Sequence, residues 1–207
     1  MNKILFIGPQ ASGKGTQAEM LSKKFNLPIF STGNVLRQRV ADGDEAGKKL
    51  AEIMNSGQLV SDEMVNQIIS DKISSDGSEG YILDGYPRNL SQAQFLDSVD
   101  QLTHVIEVHI SDKEAIRRIG GRRTCPKCQT VYHTEYKKSA REGVCDHDGE
   151  KLVVRGDEKP EAVTKRLATY HELTEPVIDY YKSKGIYHKI DGMPSIDEVS
   201  QEILKIF

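Results

Sequence analysis

The segment IGPQASGKGTQAEM, residues 7 to 20, sets glycines on both sides of a lysine, between an apolar run and a helical pattern. Ile4-Leu5-Phe6-Ile7 reads as a buried strand, and from Thr16 onward Gln17, Ala18, Glu19, Met20 and Leu21 read as a helix. The glycines therefore sit at a strand-to-helix turn. Gly8-Pro9-Gln10-Ala11-Ser12-Gly13-Lys14 fits the spacing G-x-x-x-x-G-K. Successive backbone N–H groups in such a loop wrap a phosphate, the helix N-terminus adds its dipole, and Lys14 reaches the outer phosphates. A glycine-rich turn bearing a solvated lysine is the plainer alternative, but strand and helix flank the motif as a phosphate loop (P-loop) requires. The residue after Lys14 is Gly15, so the hydroxyl available to Mg²⁺ moves one position on, to Thr16.

Outward from the loop, apolar or β-branched runs recur at residues 3–7, 28–30, 81–84, 104–110 and 186–190, with helical periodicity between them. That alternation predicts an α/β fold, a parallel five-stranded sheet flanked by helices on both faces. Ser61 is expected to cap a helix running to Ile73, with Met64, Val65, Ile68 and Ile69 as its apolar stripe. Ser195 to Phe207 carries Ile196, Val199, Ile203 and Leu204 in the same way. A third helix starts near Pro160 and turns Val163, Leu167 and Tyr170 inward with Arg166 on another face; Pro176 should kink or interrupt it.

The 207 residues suffice for one good core with small inserted subdomains, and 37% hydrophobic with 29% charged residues mark an ordinary globular protein. A formal charge of −3 argues against a general nucleic-acid or membrane-surface binder. The apolar run after Lys3 is too short for a signal-peptide core, and no stretch approaches transmembrane length, so a cytoplasmic address is the expectation.

One segment, residues 122–158, breaks the alternation with turn residues, charges and short β-like pieces such as Thr130-Val131-Tyr132-His133. It reads as an inserted subdomain without an apolar core of its own, so something else must hold it together. Cys125-Pro-Lys-Cys128 and, after sixteen intervening residues, Cys145-Asp-His-Asp148 form two knuckles that can present four ligands tetrahedrally, and thiolates select zinc. His147 and His133 could substitute for Asp148, which alone preserves the two-residue gap. A redox pair at Cys125 and Cys128, or a lid that folds by hydrogen bonds without metal, are the other readings; no thioredoxin-like context accompanies the first. With four protein ligands the metal would be structural.

Several separated motifs, in order, carry a resemblance: GKGTQA at 13–18, STGNVLR at 31–37, LVSDE at 59–63, LDGYPR at 83–88, GRR at 121–123, VYH at 131–133 and KRLATYH at 165–171. Over essentially its whole length the chain resembles the adenylate kinases, of the long-lid bacterial kind, and Asp148 resembles the fourth ligand of the zinc lid in some of them. The resemblance implies a P-loop core of residues 1–30, 61–120 and 159–207, an NMP-binding helical flap of 31–60 and a small zinc-binding β lid of 121–158. It implies a reversible, Mg²⁺-dependent transfer of the terminal phosphoryl group of ATP to AMP, giving two ADP, by a monomer.

The same resemblance assigns residues. Gly13, Lys14, Gly15, Thr16, Arg118, Arg122, Tyr132 and His133 would bind ATP, with Arg118 stacking on its adenine. Thr32, Arg37, Leu59, Val60, Gly85, Arg88 and Gln92 would bind AMP: Arg37 and Arg88 fork onto its phosphate and Gln92 reads the adenine edge. Arg155 and Arg166 would serve both AMP and catalysis, with Lys14, Arg88 and Arg122 completing the catalytic set. Thr16 and Asp84 would attend the Mg²⁺. Asp157 and Glu158 resemble the acidic pair at the lid hinge. No catalytic base is required, because a phosphate oxygen is already ionised near neutral pH. A UMP or CMP kinase is the close rival, against which Thr32 and Gln92 favour AMP; a nucleotide-sensing zinc protein without turnover is the rival from another class. Two departures from the family stand out: Gln10-Ala11 replaces a proline-glycine pair, and Asn34 replaces an acidic residue. A positive φ at Ala11 would cost on the order of 1 kcal/mol.

Overall fold

The computed structural model describes residues 1–41, 43, 45–77 and 79–207; residues 42, 44 and 78, which fall within the expected flap and core spans, lie outside the described residues. In chain order the elements are β1 (Asn2–Ile7), α1 (Lys14–Phe25), β2 (Ile29–Ser31), α2 (Thr32–Ala41), α3 (Glu45–Asn55), α4 (Asp62–Asp76), β3 (Gly80–Asp84), α5 (Leu90–Val99), β4 (His104–His109), α6 (Asp112–Gly121), β5 (Arg122–Thr124), β6 (Val131–His133), α7 (Pro160–Thr169), α8 (Glu175–Lys182), β7 (Tyr187–Asp191) and α9 (Ile196–Leu204). β2, β3, β1, β4 and β7 form, in that order, a five-stranded sheet in which every pairing is parallel.

β1 is central, and its period-two alternation builds both cores. Leu5 and Ile7 face one side with Val65 and Ile69 of α4, Ala93 and Leu96 of α5, and Val177, Ile178 and Tyr181 of α8. Ile4 and Phe6 face the other with Ala18 and Leu21 of α1 and Val199 and Ile203 of α9. A strand buried on both faces reads as a continuous apolar run, which is why these strands are visible in the sequence. Each such side chain contributes about 1.5–3 kcal/mol through burial. The chain leaves the sheet at the carboxyl ends of the strands, where ligand sites of open α/β sheets lie. Among the described residues no helix is long and apolar enough to cross a membrane.

The differences from the sequence expectations have local causes. The strands lie within one residue of the expected runs, and α1 begins at Lys14, two residues before Thr16. Ser61 stands at the N-cap of α4 but its side chain makes no cap hydrogen bond, and Met64 is exposed, so the buried stripe is Val65 and Ile69. At α9 the cap is formed in full: Ser195 accepts from the Glu198 N–H while the Glu198 carboxylate takes the Ser195 N–H. The helix begun at Pro160 is interrupted before Pro176, by a widened turn over Tyr170–Thr174 in which the Glu175 N–H bonds the Tyr170 carbonyl. Proline lacks the N–H that would close the next regular turn, and the wider turn absorbs the mismatch.

The inserted segment does have a small core, contrary to expectation: Cys125, Tyr132, Cys145 and Leu152 are buried together. Two of its four members are cysteines, so it is far smaller than the cores of the sheet.

Candidate active site

The phosphate loop leaves β1 in a conformation only glycine tolerates at its first position. Gly8 has φ 146, and a Cβ there would stand 2.3 Å from the Val108 carbonyl oxygen. Ala11 adopts φ 58, the left-handed region that its replacement of glycine put in question. Gly13, at φ 97, opens α1, whose first-turn N–H groups have no partners inside the helix. Lys14 folds back so that Nζ donates to the Pro9 carbonyl at 3.0 Å. Burial pulls its pKa down to about 8; Asp84 opposes this, and the charges of Arg88, Arg122 and Arg166 add to it. Asp84, at the end of β3, puts Oδ2 3.5 Å from where a Cβ on Gly15 would be, an ordinary contact distance that sets the carboxylate beside the loop. Thr16 lines the same cleft.

A second compartment lies between α2, α3 and the turn after β3. Thr32 Oγ1 donates to the Gly85 carbonyl at 2.9 Å, and Arg88 Nε donates to the same oxygen at 2.7 Å. Gln92 is buried, with its amide orientation fixed: Oε1 accepts the Arg88 N–H at 2.7 Å and Nε2 donates to Asp62 Oδ1 at 2.7 Å. That leaves one N–H and one lone pair of the amide for a ligand. Leu59, Val60 and Met54 supply the apolar wall beside them. Arg37 projects from α2, its Nη2 paired with Asn34 Oδ1 and its Nε donating to Gln129 Oε1 at 3.1 Å. Asn34 thus keeps an acceptor oxygen for Arg37 without neutralising it.

The arginines from distant parts of the chain converge at the turn Gly156–Glu158. Arg155 grips Asp157 with two bonds, Nε to Oδ1 at 2.9 Å and Nη2 to Oδ2 at 2.8 Å, and Arg166 Nη1 reaches Oδ2 at 2.8 Å. Arg122 Nε pairs with Glu158, which also lies 3.3 Å from Arg155 Nε. Although burial opposes it, Arg155 and the neighbouring guanidinium groups hold Asp157 well below the usual carboxylate range. Burial presses the pKa values of Arg37, Arg88, Arg122 and Arg166 down, and each of the four also feels other arginines nearby. Among the described residues the buried Arg122 Nη2 has no hydrogen-bond partner. The arrangement is an excess of enclosed positive charge with a donor left over, which an anion would balance.

On the other side of Lys14 a cleft of about 700 Å³ is lined by residues 10–17, Arg118, Arg122, His133 and Gly192. Glu114 holds Arg118 through Nε at 2.7 Å, Gly192 accepts from its Nη2 at 2.9 Å, and its guanidinium stands 5.3 Å from the Tyr136 ring centre. His133 accepts the Glu135 N–H at Nδ1, so Nε2 carries the proton donated to the Arg118 carbonyl at 2.9 Å. Burial lowers the pKa of this ring, consistent with that neutral form. Tyr132 differs: it borders the cleft, but its hydroxyl turns into the lid, accepting the Asp146 N–H at 2.9 Å, 3.5 Å from Cys145 Sγ.

In the inserted segment, one ligand atom from each of Cys125, Cys128, Cys145 and Asp148 lies within 4.8 Å of the others. Cys128 Sγ and Cys145 Sγ are 3.5 Å apart, and Cys125 Sγ is 3.3 Å from Asp148 Oδ2. Tetrahedral Zn–S bonds of about 2.3 Å and a Zn–O bond of about 2.0 Å require S···S near 3.8 Å and S···O near 3.5 Å. The two knuckles share one backbone pattern. The Cys125 N–H bonds the Thr130 carbonyl and the Cys145 N–H the Glu150 carbonyl, five residues on in each; the Gln129 and Gly149 N–H groups return to Cys125 and Cys145. Gln129 and Gly149 are both left-handed, at φ 62 and 74.

Some supporting residues escape a reading for motifs. Glu114 could have been found, since E-x-x-x-R on a helix places carboxylate and guanidinium on one face. Asp62, which orients Gln92, sits inside a quoted motif but its partner is 30 residues away. For Tyr136 and Gln129 the sequence offers no signal.

Comparison with known proteins agrees with this geometry. A family model described as adenylate kinase matches residues 6–186. The chain is 44% identical to an adenylate kinase of Caldanaerobacter subterraneus subsp. tengcongensis over 209 residues, 98% of this chain and 95% of that one. It is 40% identical to an adenylate kinase of Lachnospira eligens over 99% of both chains. An adenylate kinase of Archaeoglobus fulgidus is 43% identical over 97% of this chain and 95% of its own. With a matched model across most of the sheet and relatives alike from end to end, the chain belongs to the adenylate kinase family.

Proposed function

We propose that the protein is an ATP:AMP phosphotransferase that converts MgATP and AMP reversibly into two ADP. The observation that carries this reading is the junction of two compartments: Lys14, Arg37, Arg88 and Arg166 line both. Two nucleotides entering from opposite sides meet with their phosphates over Lys14.

On the donor side the first-turn amides of α1 and Lys14 hold the phosphates of MgATP, Thr16 and Asp84 face its Mg²⁺, and Arg118 and His133 border the base. On the acceptor side Arg37 and Arg88 grip the AMP phosphate, and the fixed amide of Gln92 reads adenine, with Thr32, Gly85, Leu59 and Val60 around it. Arg122, Arg155 and Arg166 spread the charge that develops on the transferring phosphoryl group. The acceptor oxygen is ionised already, so positioning and electrostatics suffice without a general base. Residues 31–60 and 121–158 act as flap and lid that keep water from competing as acceptor.

The cysteine cluster fits a structural zinc ion: its four ligand atoms lie within 4.8 Å of one another, with the Cys128–Cys145 and Cys125–Asp148 spacings close to tetrahedral values, in two matching knuckles. Zinc there ties together a subdomain whose own core has four buried members, and all its protein ligands being present, it does not touch the phosphates. The chain functions as a cytoplasmic monomer.

Purified protein mixed with MgATP and, separately, AMP, CMP, UMP or GMP tests the reading by quantifying the diphosphates, with Lys14→Ala as control. Preferential turnover of AMP is expected. Equal or better turnover of UMP or CMP would reassign the acceptor, and no turnover of any would leave a nucleotide-binding protein.

A further inference from the structure

We propose that Gln129 is a positioning residue for the acceptor side, tying the first knuckle of the lid to Arg37 so that closure over MgATP also fixes the AMP phosphate. The inference rests on the adenylate kinase reading above.

Three observations lead to it. First, the side chain bridges two subdomains: Oε1 accepts from Arg37 Nε at 3.1 Å while Nε2 donates to its own knuckle at Pro126, 2.8 Å away. The partners dictate the orientation, because the guanidinium can only donate and the carbonyl can only accept. Second, Gln129 follows Cys128 directly, so whatever holds the knuckle holds this amide. Third, the backbone there is left-handed, at φ 62, a conformation that disfavours a side chain. The equivalent place in the other knuckle, with the same hydrogen bonds, is filled by Gly149. The fold therefore accepts glycine at such a position, and a glutamine in its place reaches Arg37.

The geometry also assigns a direction. A bond to Nε leaves Nη1 and the second N–H of Nη2 to turn toward a phosphate, the first N–H of Nη2 being held by Asn34. Gln129 does not touch the nucleotide; it acts through Arg37, and only when the lid lies over the flap. The two substrates are then coupled by a contact between the first knuckle and α2, and that coupling is reciprocal.

Gln129→Gly and Gln129→Asn test this. Both residues suit a left-handed backbone, and both lack the reach of the glutamine amide. The expected result is a rise of roughly five- to tenfold in KM for AMP at saturating MgATP, the scale of the net contribution of one ordinary hydrogen bond. The Kd for AMP measured without ATP should be unchanged, and the melting temperature unchanged or higher. In an Arg37→Ala background Gln129→Gly should add nothing. An unchanged KM for AMP in active variants overturns the proposal, as does an equal rise in the Kd measured without ATP. A lowered melting temperature with equal losses for both nucleotides also overturns it, showing a purely structural role. Wild-type protein that forms no ADP would defeat the parent reading and this one together, so the two failures are distinct.

Discussion

Lys14 is costly to the folded protein, and Lys14→Met should show it. A pKa pulled from 10.5 to about 8 corresponds to about 3 kcal/mol of destabilisation at about 1.36 kcal/mol per pH unit. The side chain as a whole is only half-buried, so water screens part of this, and methionine forfeits the bond to the Pro9 carbonyl, worth about 1 kcal/mol. A net gain of about 1–2 kcal/mol remains. For a chain of this length each kcal/mol moves the melting temperature by about 2–4 °C, so the ligand-free variant should melt about 2–8 °C higher near neutral pH. Phosphoryl transfer should fall at least about a hundredfold, since a donor aimed at the transferring group is gone.

The pH dependence gives the reasoning a second edge. Below pH about 8 Lys14 is charged in the folded and unfolded chains alike, and the whole penalty is present. Between about 8 and 10.5 the folded chain sheds a proton that the unfolded chain keeps, so the wild type recovers stability and the advantage of the variant shrinks. Calorimetry of both proteins across this range, without nucleotide, measures it. With MgATP and AMP added the order should reverse, because the wild type gains more from ligand. A variant that melts below the wild type near neutral pH without ligand, or keeps its margin unchanged into the alkaline range, would refute the argument.

Asp157→Asn should lower the melting temperature by about 3 kcal/mol equivalent, on the order of 10 °C, because it leaves Arg155 and Arg166 enclosed without their shared carboxylate. Since the pKa of Asp157 is depressed in the folded protein, that contribution is complete above the ordinary carboxylate range and fades as pH falls below it; calorimetry of wild type and variant should converge in acid. Metal analysis should find one zinc per chain, and chelation under mild denaturant should loosen residues 121–158 to proteolysis and lower the melting temperature; resistance to both would remove the metal from the lid. Ala11→Gly should raise the melting temperature by about 1–3 °C, the relief of a left-handed alanine less the added freedom of glycine in the unfolded chain.

How much of this the sequence disclosed depends on how far each feature reaches along the chain. Strands buried on both faces show as apolar runs, so β1 and its neighbours lie within a residue of their expected places. The phosphate loop is equally local, and so is the backbone angle at Ala11, foreseeable once glycine was missing. Ser61 misleads because a serine before a helix reports only a capacity to cap, and at this helix Asp62 is engaged by Asn89 and Gln92. Met64 fits the stripe by spacing alone, yet that edge of α4 faces solvent. The partners of Arg37 show the limit most plainly: Asn34 is three residues away and sits in a motif, whereas Gln129 is 92 residues away and meets it only through tertiary folding.

The distribution of charge explains why a site without a catalytic base can still be selective about when it reacts. Arg155 is already neutralised: burial works against its charge, but its bonds to Asp157 outweigh that and raise its pKa. Arg122 and Arg166 share Glu158 and Asp157 with it, whereas Arg37, Arg88 and Lys14 stand outside those pairs, and each of the five has its pKa lowered, by burial first. Glu158 and Asp157, on the turn where the lid rejoins the core, therefore share their arginines with whatever phosphates arrive. On the proposed reading, one nucleotide would balance part of the excess, and two, end to end, would balance more of it. Because the groups come from the phosphate loop, the flap, the turn after β3, the lid edge and α7, satisfying them together requires the subdomains to be closed. On the proposed reading, the reactive geometry and the exclusion of water would both follow from that ion pairing.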